Sequence, residues 1–237
     1  MIDVYGLDET AIRWRQAALT LASEVLSQHA TEVDAEGRFP SEGMAALARG
    51  GFYGLCLDTQ FGGHGQGPAT FAAVVEELAR QCASTAMVYV MHVTAAKVIQ
   101  NAPAFPTRAE VLRAIAAGEH LATIAFSEQG SRSQFWAPIS QLEAHGAGYQ
   151  THAAKSWVTA AHHADSYVAS AQAPGAESPL DLTLYWLPRQ RAGVQLMSRF
   201  NGLGLRGNDS APITFEGVDV TNADLLTKHG QGLDGML

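Results

Sequence analysis

Ala125-Phe-Ser-Glu-Gln-Gly-Ser-Arg-Ser-Gln134 and, further on, Lys155-Ser-Trp-Val-Thr159 are the stretches that decide the fold of this chain. The first is entered through an apolar run, residues 121–126, and the second carries Trp, Val and Thr, residue types that suit a pleated, half-buried surface. Comparable runs recur at 166–171, 182–187 and 212–215. HGAG at 145–148 and APGAESP at 173–179 separate them with the glycine and proline that hairpin loops use. From residue 121 onward the chain therefore reads as a β domain.

Upstream the period changes. Trp14, Ala18, Leu21 and Val25 form one helical stripe, and Phe71, Val74, Val75 and Leu78 form another. Pro40 stands where a first helical turn tolerates proline, Gly50 and Gly51 can close that helix, and Thr107 with Glu110 makes a capping box ahead of Val111, Leu112 and Ile115. About five helices are expected over residues 8–118. GQGLDGML, 230–237, reads as the opening turn of another helix. The fold class is α+β: an all-α N-terminal domain over residues 1–120, a middle β-barrel or sandwich over 121–228, and the start of a further helical part at 229–237.

A composition of 47% apolar and 16% charged residues is that of a folded globular chain, and the formal charge of -8 gives no long-range attraction to nucleic acid or anionic membrane. The opening MIDVYGLDET lacks a basic cap and an apolar core, so no secretion signal is expected, and the most apolar run, 83–99, holds His92 and Lys97 and reads as a buried helix. Cys56 and Cys82 sit in apolar surroundings and read as free buried thiols, which fits a reducing cytoplasm. Gly202-Leu-Gly-Leu-Arg-Gly207 is a literal G-x-G-x-x-G, but a strand-like segment with Pro212 follows it where a dinucleotide fingerprint needs a helix, so it reads as a turn. FGGHGQGP at 61–68 reads as an interhelical loop. No H-E-x-x-H, zinc-spaced cysteine set or G-x-S-x-G is present, which leaves neither a metal site nor a serine hydrolase in view.

The two opening stretches resemble the acyl-CoA dehydrogenase family, whose middle domain begins with a strand ending in T/S-E-P-x-x-G-S-D and continues with a K-x-W-I/V-T strand. In the same order, residues 40–65 (PSEGMAALARGGFYGLCLDTQFGGHG), 84–92 (STAMVYVMH) and 202–220 (GLGLRGNDSAPITFEGVDV) resemble further parts of that family. The resemblance implies FAD as cofactor and α,β-dehydrogenation of an acyl-CoA thioester in fatty acid metabolism. It implies a homodimer or homotetramer and an electron-transfer flavoprotein or other acceptor. A C-terminal four-helix domain is expected after Leu237, carrying the glutamate that acts as catalytic base, so no catalytic residue is assigned in this chain.

By the same resemblance Ser127, with the backbone of Phe126, would bind the pyrimidine end of the flavin, Thr159 with neighbouring Val158 would lie near N5, Trp157 against the ring, and Ser133 at the pyrophosphate. Val88 and His92, four residues apart and so on one helix face, match positions beside the acyl tail; His92 reads equally as a packed core histidine. Gln129, Arg132 and Gln134 depart from the pattern, and Arg132 adds a charge able to fork onto a pyrophosphate or CoA phosphate. These departures leave a flavin monooxygenase or oxidase on the same fold as an alternative, and a non-catalytic scaffold as another. Glu76 and Glu77 read as a solvated helix face, and Glu128 as part of the strand motif.

Overall fold

The structure, a computed structural model, describes residues 6–236. The opening residues 1–5, on which the expectation of no secretion signal partly rests, and Leu237 lie outside them. Asp8 starts the first helix by accepting the Ala11 N–H at 2.8 Å, satisfying one of the orphan donors of α1, Glu9–Leu21. A π turn, Ala22–Leu26, joins it without a break to α2, Ser27–Glu36, which ends at Gly37 in the left-handed region. α3 (Ser41–Arg49), α4 (Pro68–Gln81), α5 (Ala83–Gln100) and α6 (Arg108–Ala116) follow, so the helical half consists of five rods, as the period predicts.

The local signals hold in part. Gly51, with φ +76°, closes α3, and the loop 61–67 leads into α4, where Pro68 occupies the first turn. Pro40 stands just ahead of α3 instead of inside it. The capping box at Thr107 does not form: its backbone, φ -89° and ψ 8°, is not in the extended geometry that aims a cap hydroxyl at the next turn. Glu77 corrects the solvated-face expectation, because it is buried and paired with Arg15 at 2.7 Å where α1 packs on α4; Glu76 stays at the surface, paired with Arg80.

Seven strands follow: β1 (Ala122–Ala125), β2 (Glu143–His145), β3 (Gly148–Val158), β4 (Ser166–Gln172), β5 (Leu182–Pro188), β6 (Val194–Leu196) and β7 (Ala211–Val220). They form two sheets, β1-β4-β5 with β1 and β4 parallel, and an antiparallel β2-β3-β7-β6. Among the described residues no barrel closes, so the barrel-or-sandwich expectation resolves to two open sheets. β2 and β6, three residues each, carry too little pattern to be read in advance, and β3 begins seven residues before Lys155. The 202–207 turn leads into β7 and not into a helix. A short helix α7, Gly232–Met236, lies on β5. Both cysteines are free, and among the described residues no helix is long and apolar enough to cross a membrane.

Helices and sheets share one hydrophobic core. α5 lies against β1, and His92 joins them by accepting the Ala122 N–H at its Nδ1, 3.1 Å. Gly207 marks a second contact between the halves: a Cβ there would stand 2.3 Å from Val33 Cγ1 and 2.7 Å from the Arg38 carbonyl oxygen. Its N–H donates to Ser84 Oγ at 3.2 Å, so the last glycine of the 202–207 turn is held against both α2 and α5.

Candidate functional site

The two stretches that open the sequence reading are neighbours in space. Ser156 donates its N–H to the Ser127 carbonyl at 2.9 Å and Gln129 to the Ala154 carbonyl at 2.9 Å, so the chain leaving β1 runs beside β3. Thr123 Oγ1 donates to the Thr159 carbonyl at 2.9 Å and fixes the other end of the same contact. Phe126 and Val158 are buried in the core, while Ser127 is half-buried. Thr159 is buried, with its hydroxyl 3.4 Å from Ser210 Oγ. Ser210, 51 residues further on, lies within the 202–220 stretch but is not singled out there, because no motif links it to Thr159.

Beneath the joint lies a buried ion pair. Lys155 Nζ meets Glu128 Oε1 at 2.7 Å and also donates to the Ser170 carbonyl at 2.5 Å, with the lysine 1% and the glutamate 6% exposed. Ser140 donates its hydroxyl to Oε1 at 2.5 Å and its N–H to Oε2 at 2.8 Å, and Ile139 N–H donates to Oε2 at 2.7 Å. Burial alone would raise the Glu128 carboxyl, but the Lys155 charge and the bonds from Lys155 and Ser140 outweigh it and hold the group below its ordinary value. Burial is also the largest influence on Lys155 and pulls its ammonium below the ordinary lysine value against the opposing pull of Glu128. Glu128 is thus a fixed carboxylate with its lone pairs occupied, tying the 128–140 loop to β3.

Trp157 faces the other way. The register between β3 and β7 slips between Lys155 and Val158, and Trp157 takes φ +57° at that irregularity, so its indole stands 64% exposed. Phe200 stacks on it with centroids 4.0 Å apart and planes 24° from parallel. Together with Gln129, Ser156, Met197 and Pro212 the pair borders a hollow of about 380 Å³. The exposed indole, with an aromatic behind it, presents a flat apolar face.

The remaining expected residues are spread over two further places. Gly130, Arg132 and Ser133 all have positive φ, so the loop after Ser127 is a tight turn, with Arg132 and Ser133 exposed and the Ser131 hydroxyl buried without a partner among the described residues. Two non-glycine residues in the left-handed region cost about 1–2 kcal/mol each. Val88 and His92 lie fully buried on α5. The His92 ring stands 4.2 Å from that of Tyr53, its Nε2 has no hydrogen-bond partner among the described residues, and burial pulls its pKa down to about 3. A neutral ring that accepts at Nδ1 carries its proton on Nε2.

Residues 8–119 match the family model described as acyl-CoA dehydrogenase, N-terminal domain. The mitochondrial isovaleryl-CoA dehydrogenase of Oryza sativa subsp. japonica is 26% identical over 235 residues, covering 97% of this chain and 57% of its own length. The three-dimensional structure of butyryl-CoA dehydrogenase from Megasphaera elsdenii superposes with a TM-score of 0.90 at 19% identity, over 97% of this chain and 61% of that one. The FAD complex of PigA superposes with a TM-score of 0.87 at 18% identity, again over 97% and 61%. The chain thus spans a little over half the length of the curated relative and about three-fifths of these two structures.

Proposed function

We propose that this chain is a member of the acyl-CoA dehydrogenase family, on the match of residues 8–119 to that family's N-terminal domain and a fold shared over 97% of its length, and that it forms the flavin-facing part of an enzyme that α,β-dehydrogenates acyl-CoA thioesters. The observation that carries this is the joint itself: residues 127–129 paired with 154–156, beside an indole turned out of the sheet. The donor set fits FAD, since a tricyclic ring needs an aromatic or apolar face and donors along one edge, and the joint offers the exposed Trp157 indole with the hydroxyls of Ser127 and Thr159. Bound FAD would supply a two-electron acceptor for hydride.

The chain's own residues would hold and orient it. Ser127 and the Phe126 backbone would donate toward the pyrimidine end, Thr159 and the Val158 backbone toward N5, with Trp157 along the ring and Ser133 at the pyrophosphate. Ser127 and Thr159 both sit on backbone pinned by neighbouring strands, so donors aimed at developing negative charge need no reorganisation at the moment of reaction. Val88 and His92 would border the acyl side, and Arg132 would reach a phosphate of the CoA or cofactor. The α-proton must pass to a base within hydrogen-bonding reach. Glu128 is unsuited, since Lys155, Ser140 and Ile139 already fill its oxygens, and the base stays unassigned among the described residues. An electron-transferring flavoprotein or another acceptor would reoxidise the cofactor.

The test is an anaerobic titration of the FAD-loaded, full-length protein with a panel of acyl-CoA thioesters. Loss of the oxidised-flavin absorbance with at least one thioester is expected, slowed in Ser127→Ala and Thr159→Val. Bound FAD that no thioester bleaches would overturn the proposal.

A further inference from the structure

Asparagine stands at positions 101, 201, 208 and 222, and of these only Asn201 is followed by glycine. Asn201, Gly202, Leu203, Gly204 and Leu205 are all exposed, with Leu203 standing wholly in solvent. The segment is pinned at its two ends, where Phe200 donates its N–H to the Ser210 carbonyl at 2.9 Å and Gly207 donates its own to Ser84 Oγ at 3.2 Å. Between the pins, no backbone N–H from 201 to 206 and no atom of the Asn201 side-chain amide has a hydrogen-bond partner among the described residues.

The other three asparagines are held. Asn101 ends α5, and the N–H that follows it, on Ala102, donates to the Ile99 carbonyl at 3.2 Å. Asn208 is buried, and Asp209 after it accepts from the Nδ1 of His162 and of His163 at 2.8 Å each. Asn222 opens a short helical turn and donates its side-chain amide to the Ala147 carbonyl at 3.1 Å.

The difference matters because an asparagine Cγ and the next backbone nitrogen can close a five-membered ring. The nitrogen's lone pair is delocalised into the planar peptide, so it attacks only after losing its proton and only where the backbone can turn to bring the two atoms together. A hydrogen bond from that N–H opposes both, as at Ala102. A Cβ on the following residue crowds the approach, and Gly202 has none.

We propose that Asn201-Gly202 is a site of spontaneous modification in the folded protein, deamidating to aspartate and isoaspartate with water as the co-reactant. The Gly202 nitrogen bonds to Asn201 Cγ, the Cγ–Nδ2 bond breaks, and ammonia leaves with the proton that the Gly202 nitrogen gives up. Water then opens the ring at one of its two carbonyls. Cleavage from Cγ restores the ordinary backbone with an aspartate side chain; cleavage from the α-carbonyl carbon leaves the main chain running through the former side chain, as isoaspartate. No atom is oxidised or reduced. Either product adds one negative charge, and isoaspartate inserts a methylene between the two pins, beside the Phe200 ring that stacks on Trp157. The proposal does not depend on the flavin assignment.

The purified full-length protein is incubated at physiological temperature in mildly alkaline and in mildly acidic buffer and followed by peptide mass spectrometry, with an isoaspartate-specific methyltransferase reporting the rearranged product. The mass gain of an amide turned to an acid is expected in the peptide that holds Asn201, faster at alkaline pH and at least about tenfold faster than at Asn101, Asn208 and Asn222. A synthetic peptide of residues 198–204 gives the rate without the fold, and the folded protein should react within about tenfold of it. Gly202→Ala should slow the reaction by about tenfold or more. Its Cβ would stand 3.1 Å from the Gly204 carbonyl oxygen, so Asn201→Gln, which keeps Gly202 and should stop the mass gain, is run beside it. A folded rate more than about tenfold below that of the peptide, a rate no greater than at the other asparagines, or one indifferent to Gly202→Ala overturns the site.

Discussion

Lys155→Met should destabilise the protein strongly at neutral pH and much less in mild acid. The substitution keeps the length and most of the volume of the side chain but leaves the Glu128 carboxylate buried with only Ser140 and Ile139 as donors. Removing one partner of a buried pair costs about 3–5 kcal/mol. A second limit comes from the carboxyl itself, which can escape the penalty by taking a proton. From an ordinary value of 4.5, protonation costs about 4 kcal/mol at pH 7.5 and under about 1 kcal/mol at pH 5. The wild type moves the opposite way: the folded-state Glu128 value is depressed, so its contribution is present above the unfolded value and fades as pH falls through the folded one. The two proteins should therefore converge on acidification. Denaturant unfolding followed by circular dichroism at the two pH values measures the gap, about 3–4 kcal/mol at pH 7.5 and about 1 at pH 5. Glu128→Leu combined with Lys155→Met should recover most of the loss, because no unpaired charge remains. A cost for Lys155→Met that is below about 1 kcal/mol at pH 7.5, or that does not change with pH, refutes this account of the pair.

His92 should make the fold acid-sensitive, since its folded-state value of about 3 lies below the unfolded 6.5: stability is whole above pH 6.5 and declines toward pH 3, by up to about 5 kcal/mol, and His92→Gln should flatten that slope in an unfolding titration. Two glycines of one turn should behave oppositely. Gly207→Ala drives a Cβ into Val33 and the Arg38 carbonyl and should cost about 1–3 kcal/mol or more, whereas Gly204→Ala meets open space and should leave the melting temperature within a degree or so. Thr159→Val should slow flavin reduction by an acyl-CoA while leaving the circular dichroism spectrum unchanged; an unaltered reductive step would remove Thr159 from the proposed N5 contact. FAD should quench the emission of exposed Trp157, and a titration in which Trp157→Phe quenches as fully as wild type would show the indole lies elsewhere than at the cofactor.

What could be read in advance was local. The stripe Phe71, Val74, Val75 and Leu78 faces the core because its spacing leaves it no other face, and the runs at 166–171 and 182–187 are strands because they are short, apolar and bounded by turns. Residues that meet across long sequence separations were not legible: Glu128 with Lys155, Asp209 with two histidines, Phe200 on Trp157. Trp157 shows the physical reason most plainly. Strict alternation from Lys155 would place Trp157 on the same inward face, with Val158 outside. The slip in register between Lys155 and Val158 reverses that order, burying Val158 and expelling the indole, at the expense of a tryptophan in the left-handed region. Such a conformation persists only where its surroundings over-determine it. Here the residue before the slip is a lysine locked to a buried carboxylate, and the one after it is packed in the core. The buried pair and the exposed platform are therefore two ends of one irregularity, so loosening Lys155 should disturb whatever rests on Trp157 although the two side chains lie on opposite faces of the strand.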